Sequence, residues 1–357
     1  MFGRVLAHNG ERKVPNRMSV DALDPSPDSS IPRRRLIDSP TAAGAGTLIA
    51  LLLWFWVSGV LFPSEIPRFW SSRLQLTGMG LTYATITAFL VWVLRYYPVP
   101  RGDLVRELVD SATLVPRDCR EELARLQRTP KYLSTAATIG GLLCSLFNIH
   151  PGVLRAIFSF EVGFVNLSLA LGSVVLWIAV VQMAVRGINT SRILYRLGAQ
   201  FARVDLYQLD RLLPFAKFGT FSFMVVAIAL GLTSLQALDA EFRAGNFVFA
   251  LAFGIPVGAA NLLLPLVGIR RSVRCKKQQT LAELDAAIGV ANRDLEVGPV
   301  EHLDHLVSLR NHVARAREWP LNTTALSRVG LYIVIPPFAW TGAALIEITL
   351  TRMLGSN

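Results

Sequence analysis

The densest group of side chains that could bind a metal surrounds His302, in the last third of the chain. Glu301 and His305 are four residues apart, and His302 and His305 are three apart, so each pair would share one face of a helix. Imidazole and carboxylate groups at these spacings can begin a zinc site, but a closed site needs about four ligands. No cysteine lies near, and the spacing differs from the His-Glu-x-x-His metalloprotease motif. We interpret the segment as a solvated polar face, with His302 and His305 as alternative metal ligands.

Glycines and prolines interrupt three apolar stretches and indicate either close helix packing or a transport site. Gly254 and Gly258 are four residues apart with Pro256 between them, and small residues at this spacing let helices approach closely. The same residues could instead unwind a helix and present main-chain carbonyls to a solute. We favour helix packing and keep transport as the alternative. The candidate residues are Gly140, Gly141, Gly254, Pro256, Gly258, Asn261, Pro336 and Pro337.

Ionisable residues inside a membrane are the usual sign of function, and the apolar stretches contain almost none. Glu161 and Glu347 lie near the ends of such stretches, while Asn166 and Asn261 are the polar residues best placed to bond between helices. The sequence has no Walker loop and no Gly-x-Ser-x-Gly nucleophile motif. We therefore predict that the protein is not an enzyme and uses no cofactor.

The composition is typical of a multi-pass membrane protein. Of the 357 residues, 52% are hydrophobic and 17% are charged, whereas soluble proteins have about 25% charged residues. The net charge of +11 is explained by the retention of Lys and Arg in cytoplasmic loops, so the predicted partner is a lipid bilayer and not a nucleic acid. Three cysteines without metal spacing indicate no disulfide framework.

Seven stretches approach the roughly 20 apolar residues that a transmembrane helix needs. They predict an all-α protein of the bacterial inner membrane with a cytoplasmic N-terminus and a C-terminus outside, periplasmic or extracellular. The third stretch is short and contains Gly140-Gly141, but it is needed to keep the basic loop that follows the fourth stretch inside the cell. The predicted spans are 43–62, 74–94, 132–149, 160–185, 218–238, 246–269 and 325–350.

The polar segments between the spans are expected to lie in the cytoplasm. Pro116 is expected to separate two short amphipathic helices in the first linker, and the second linker also has an amphipathic pattern. The predicted organisation is a disordered tail, 1–41; a membrane domain of three helical hairpins, 42–269, with linkers 95–131 and 186–217; a cytoplasmic αα-hairpin, 270–324; and the last span with the outer C-terminus, 325–357.

The polar stretch from Arg270 to Trp319 carries the best-formed amphipathic pattern. Apolar residues recur at helical spacing on both sides of Gly298-Pro299, which is typical of two antiparallel helices whose apolar faces meet. We expect a second copy of the chain or a cytoplasmic protein to bind there. The candidate contact residues are Leu281, Leu284, Ile288, Leu303, Leu306 and Val313.

Short motifs in the second half of the chain carry a resemblance. Arg203-Val204-Asp205-Leu206 precedes Leu213-Pro214-Phe215, and Arg317-Glu318-Trp319-Pro320 leads into the run that ends at Pro336. These motifs are similar to those of a group of uncharacterised bacterial inner-membrane proteins. The resemblance implies a location and an architecture, and no reaction.

Three functional hypotheses follow. The first is a non-enzymatic membrane scaffold or sensor that acts through its cytoplasmic helices. The second is a channel or transporter that uses the third and sixth spans, where glycine and proline interrupt the apolar sequence. A membrane-embedded enzyme ranks third, because it would need a water-filled cavity with converging polar side chains.

Overall fold

Every regular element in the described part of the computed structural model is helical. The structure describes residues 39–67, 70, 72–111, 113–115, 118–127, 130–149, 151–159, 163–206, 208–238, 244–293, 300–316 and 319, with eight single positions between 327 and 349. The helices are α1 (Pro40–Val57), α2 (Arg73–Tyr96), α3 (Pro98–Asp110), α4 (Arg120–Gln127), α5 (Lys131–Asn148), α6 (Pro151–Phe158), α7 (Phe164–Arg196), α8 (Leu213–Leu232), α9 (Ala244–Arg293) and α10 (Val300–Arg315). They belong to one unit, Pro40–Asn357, whereas the predicted tail lies almost wholly outside the described residues.

Five helical segments are long and apolar enough to cross a membrane, and they overlap the first, second, fourth, fifth and sixth predicted spans. A sixth candidate consists of two helical parts. The first part is Arg120–Asn148, which ends with α5, and the second part is α6; the angle between them is 107°. The seventh predicted span, 325–350, lies outside the described residues except at single positions, so the number seven stays a prediction. The five segments are Pro40–Val57, Arg73–Asp110, Phe164–Phe201, Leu209–Leu235 and Ala250–Asn292.

Phe55 occupies the centre of the core that α1, α2 and α7 share. Its side chain is fully buried, and Gly172 of α7 makes room for its ring, because a Cβ there would lie 2.6 Å from Phe55 Cζ. On α2, a Cβ at Gly80 would lie 2.8 Å from Val60 Cγ1, which follows α1. The small residues on α2 and α7 therefore decide where α1 packs.

α5 runs antiparallel to α7 and ends before the first turns of α7. Gln182 of α7 donates to Thr138 near the start of α5, and Asn148 at the end of α5 donates to Ser173. Ser173 lies nine residues after the first residue of α7, Phe164, which is about 14 Å along a helix axis. The helical part of this candidate span therefore stops short of the level at which α7 begins.

The contacts of α2 with α7 show that these two helices run in the same direction. Tyr83 lies against Gly172, and further along both helices Tyr97 meets Thr190. Since α5 runs in the opposite direction, it carries the chain back between them. This alternation agrees with a third crossing made by α5 and the bent segment after it.

α7 and α9 both continue past the predicted ends of the fourth and sixth spans. α7 ends at Arg196 instead of 185, and α9 ends at Arg293 instead of 269. Hydropathy falls at the first arginines, but Arg and Lys are good helix formers, so the main-chain hydrogen bonds continue through them. The apolar and polar parts of each element are thus one continuous helix, where the sequence had predicted a division.

The two short helices predicted on either side of Pro116 are present as α3 and α4. Their leucines point inward, since Leu104, Leu108, Leu123 and Leu126 are all at most 4% exposed. α3 is attached to α8 by an ion pair of 2.6 Å between Glu107 and Lys217. The amphipathic linker therefore packs on the end of the helix bundle.

α10 packs antiparallel along the last part of α9. Lys277 of α9 donates to the Ala316 carbonyl at 2.9 Å, and the Arg310 guanidinium bonds to Asp285 at 2.5 Å. The two ends of the polar stretch also meet, because the Arg270 guanidinium lies 4.6 Å from the centre of the Trp319 ring. The polar stretch therefore folds back on itself beside the apolar helices.

Candidate functional site

A cavity of about 140 Å³ lies among α2, α5, α7, α8 and α9. Most of its wall is aliphatic or aromatic, and the polar side chains in the wall are Tyr83, Asn148, Asn261 and Thr233. An apolar pocket with a few polar groups is the usual form of a small-molecule site. This cavity is the candidate site, and Gly254 and Asn261 are the residues from the predicted transport set that line it.

Tyr83, Asn148 and Ser173 form a polar cluster in which three helices meet. Asn148 Nδ2 donates to Ser173 Oγ at 3.4 Å, and the Tyr83 hydroxyl bonds to both of these side chains. Tyr83 and Asn148 also line the cavity, whereas Ser173 stands behind them. The cluster holds a phenol hydroxyl and an amide at the cavity wall, where a bound polar group would find both donors and acceptors.

Asn261 is buried at the contact of α9 with α7. Its side chain fills the space left by Gly187, where a Cβ would come within 2.7 Å of Asn261 Nδ2. The Ser191 hydroxyl donates to the Asn261 main-chain oxygen at 3.3 Å and lies 3.4 Å from Oδ1. The prediction that Asn261 bonds between helices is confirmed.

Pro265 explains why the Asn261 carbonyl needs a donor from another helix. A proline has no N–H, so the carbonyl four residues before it loses its α-helical partner. That carbonyl belongs to Asn261, and Ser191 supplies the missing hydrogen bond. α9 remains helical through Pro256 and Pro265.

Asn166 also makes a long-range hydrogen bond, but its partner is not a helix. The Trp70 indole N–H, in the loop before α2, donates to Asn166 Oδ1 at 2.7 Å. Asn166 therefore fixes this loop to the first turn of α7, where the sequence had suggested an interhelical bond.

The predicted glycines are places where helices approach each other. A Cβ at Gly141 would lie 2.5 Å from the Ile178 Cα, whereas one at Gly140 would meet only Val181 Cγ1 at 3.4 Å. At Gly254 and Gly258 the neighbours are side chains of α8, Leu230 and Phe223 among them. α5 and α9 are continuous helices at all four glycines.

Of the three prolines in the predicted transport set, the structure describes only Pro256. Pro256 is exposed on α9, so it does not line the cavity. Pro336 and Pro337 lie outside the described residues, and their role in transport stays a prediction.

Trp177 and Phe253 close one side of the cavity. Their rings meet edge to face, with 5.9 Å between the ring centres, and both residues line the cavity. Such a pair adds about 0.5–1.5 kcal/mol beyond its buried area. The sequence analysis missed both residues, because aromatic residues are common in apolar helices and their periodicity does not reveal which ones meet.

The predicted partner-binding residues lie on the inner sides of α9 and α10. Leu284 and Val313 are buried, at 8% and 1% exposed. The other four, Leu281, Ile288, Leu303 and Leu306, are partly buried. Near them, the hydrogen bond that the Arg310 guanidinium donates to the Asp285 carboxylate raises the pKa of Arg310. These apolar residues therefore contribute to packing within the chain.

The histidines do not form a metal site in the described part of the chain. No group of three His, Cys, Asp or Glu side chains there has the arrangement that a metal ion would need. His305 and Asp304 are exposed on α10, and the His302 side chain lies outside what the structure describes.

Comparison with protein-family models, curated proteins and solved structures gave no match. The resemblance to bacterial inner-membrane proteins therefore stays a prediction. The fold and the cavity define the class of this protein as an all-helical protein with several helices of membrane-spanning length.

Proposed function

We propose that this chain is a non-enzymatic sensor of the bacterial inner membrane, which binds a small apolar molecule among its spans and signals through α9 and α10. In this proposal the chain crosses the membrane seven times, with its N-terminus and the α9–α10 hairpin in the cytoplasm and its C-terminus outside. The excess of Lys and Arg in the segments assigned to the cytoplasm supports this orientation.

The continuity of α9 carries the proposal. Phe253, Gly254, Val257 and Asn261 of α9 line the cavity, and the same helix continues without a break to Arg293. α10 is fixed to the polar end of α9 through Asp285 and Lys277. A displacement of α9 at the cavity wall would therefore be passed directly to the polar pair.

The size and wall of the cavity specify the class of ligand. A cavity of about 150 Å³ with an apolar wall holds a molecule as large as benzene, and this one measures about 140 Å³. The Tyr83 hydroxyl and the Asn148 amide favour a ligand with one polar group. We therefore expect a small aromatic or branched aliphatic molecule that carries a hydroxyl or carbonyl.

Binding is tested with 4-fluorophenol and the full-length protein in nanodiscs, observed by fluorine NMR. Ala250 lines the cavity, so Ala250→Leu fills it, whereas Ala252 is exposed on the same helix and Ala252→Leu is the matched control. We expect wild type and Ala252→Leu to bind the probe, and Ala250→Leu to bind it about tenfold more weakly. Equal binding by all three proteins would exclude the cavity as the site.

Signalling is tested by the distance between spin labels on Arg192→Cys and Val307→Cys in a cysteine-free background. Both positions are exposed, one on α7 and one on α10. We expect 4-fluorophenol to change the distance distribution in the wild-type cavity and to leave it unchanged with Ala250→Leu. Binding of the probe without any change in distance would rule out the sensor.

We propose that the sensor passes its signal by binding a cytoplasmic protein or a second copy of the chain. Since the apolar residues of α9 and α10 are packed on the inner sides of the pair, the partner would contact its outer side, where Val290 is 60% exposed. Deletion of residues 278–317 should change the oligomeric state or the set of co-purifying proteins. Identical results with and without these residues would contradict this part of the proposal.

A channel or transporter is the second candidate, and the position of the cavity between helices supports it. Gly254 lines the cavity and Gly258 lies one turn further along α9. Transport is tested by solute flux in liposomes. If Gly254→Leu and Gly258→Leu abolish the flux while the protein remains folded, transport is favoured over sensing.

A further inference from the structure

Arg101 lies beside Tyr97 at the C-terminal end of α2, and Arg186 of α7 lies near Arg101. The Tyr97 hydroxyl is 3.4 Å from Ser222 Oγ and also bonds to Thr190. The Arg101 guanidinium lies over the Tyr97 ring, 5.1 Å from its centre. Arg186 is one helical turn before Thr190 on α7 and is close enough to repel Arg101 electrostatically.

Neither guanidinium has all its hydrogen bonds filled by the protein. Arg101 donates one bond to the Leu126 carbonyl at 3.0 Å, and Arg186 donates a long one to Gln182 at 3.4 Å. The Nε atoms of Arg101 and Arg186 are both buried without a hydrogen-bond partner. A guanidinium has five N–H donors, and the described residues accept one hydrogen bond from each arginine, so the terminal Nη groups can bind an acceptor from outside the chain.

The nearby carboxylates bind other cations. Glu107 pairs with Lys217 at 2.6 Å, and Glu122 pairs with Arg125 at 2.9 Å and with Arg196 at 3.6 Å. Among the described residues, no carboxylate lies within ion-pair distance of Arg101 or Arg186. Two partly buried like charges therefore lack a counter-charge, although negative groups are available in the same part of the fold.

The position of the two arginines matches the depth of lipid head groups. α2 has 24 residues, or about 36 Å of helix, which exceeds the hydrocarbon thickness of about 30 Å. Near Arg101, the rings of Trp92, Tyr96 and Phe221 form a continuous aromatic group. Aromatic and cationic side chains together are typical of a membrane interface.

We propose that Arg101 and Arg186 form a binding site for a phosphate group, with Tyr97 positioning Arg101, and that an anionic phospholipid head group occupies it. The planar guanidinium can bond two phosphate oxygens at once. A phosphate between the two arginines would neutralise their repulsion and accept hydrogen bonds from their terminal Nη groups. The site is separate from the cavity and does not depend on the proposed sensor function.

Native mass spectrometry of the full-length protein, released from nanodiscs of phosphatidylglycerol and phosphatidylcholine, tests this proposal. The variants are Arg101→Gln, Arg186→Gln and the double substitution, with Arg192→Gln as the matched control, because Arg192 is exposed on the same helix as Arg186. We expect wild type and Arg192→Gln to retain phosphatidylglycerol and the double variant to retain at least about tenfold less. Equal retention by all variants would overturn the proposal.

Two further arms separate the phosphate source from a loss of folding. If inorganic phosphate at millimolar concentration removes no bound lipid, the result supports a lipid head group as the occupant. If inorganic phosphate displaces phosphatidylglycerol, the occupant is a free phosphate. If the Gln variants do not fold, Arg101→Lys with Arg186→Lys keeps the charges without the planar donor pair. This variant should bind phosphatidylglycerol more weakly than wild type, and undiminished binding would exclude recognition by the guanidinium groups.

Discussion

The Ser191 hydroxyl of α7 donates to the main-chain carbonyl of Asn261 in α9, which is the carbonyl that Pro265 leaves without an α-helical donor. A proline on one helix is thus compensated by a serine on another. Because Gly187 leaves space for the Asn261 side chain at the same contact, α7 and α9 are held together beside the cavity.

Ser191→Ala should lower the free energy of unfolding by about 0.5–1.5 kcal/mol, since it leaves the Asn261 carbonyl without a donor. Pro265→Ala restores a helical N–H to that carbonyl, so the effect of Ser191→Ala should be smaller in the Pro265→Ala background. The difference is measured by unfolding the wild type, the two single variants and the double variant in mixed micelles. Thr135→Ala, on the exposed side of α5, is the control, and additive effects of the two substitutions would disprove the compensation.

Gly141→Ala should destabilise the protein by about 1–3 kcal/mol, because the added methyl group meets the main chain of α7 and cannot be accommodated without separating the helices. Gly140→Ala is the matched control at the neighbouring position, where the methyl group has only an ordinary contact with Val181. It should leave stability unchanged or raise it by up to about 1 kcal/mol, because alanine is the better helix former. Thermal unfolding in detergent compares the two, and equal effects would show that α5 and α7 are not in close contact.

Cysteine accessibility in intact cells should place positions 65 and 155 on the outer side and position 275 on the inner side. Glu65 and Arg155 are exposed before α2 and on α6, and Cys275 is exposed on the polar part of α9. Glu65→Cys and Arg155→Cys, in a background without other cysteines, should react with a membrane-impermeant maleimide, while Cys275 should react only after permeabilisation. Arg155→Cys that reacts only after permeabilisation would mean that α5 does not return the chain across the membrane.

The Cys119 thiol should react slowly with iodoacetamide at neutral pH, and faster as the pH rises above the ordinary range for a thiol. Burial raises its pKa, and the charge of Asp118 raises it further. Asp118→Asn should therefore move the alkylation profile to lower pH. The measurement uses a variant in which Cys144 and Cys275 are replaced by alanine, and a profile that Asp118→Asn leaves in place would contradict the role of that charge.

The same thiol makes stability depend on pH. Its pKa is higher in the folded state than in the unfolded state, so the folded protein retains the proton when the unfolded chain has lost it. The contribution of Cys119 to stability is present below the ordinary thiol pKa and is lost as the pH rises towards the folded value.

The apolar helices could be predicted because their signal is local. The five helical segments that are long and apolar enough to cross a membrane overlap predicted stretches, and the leucines of α3 and α4 are buried as their spacing predicts. The ends of α7 and α9 could not be predicted from hydropathy, since charged residues such as Arg186 and Arg270 end an apolar run without ending a helix. The polar network at the cavity was visible only in part, because Tyr83 and Ser173 are ordinary residues within long apolar segments.

The sequence by itself determined that the chain forms apolar helices long enough to cross a membrane, with a polar stretch between Arg270 and Trp319. Only the tertiary structure decided which faces of these helices meet. Gly140 and Gly141 look alike in sequence, as do Ala250 and Ala252, yet one of each pair faces a neighbouring helix or the cavity and the other is more open. In a membrane, lipid and protein are equally apolar, so hydrophobicity sets the length of a helix while close packing and hydrogen bonds set its orientation.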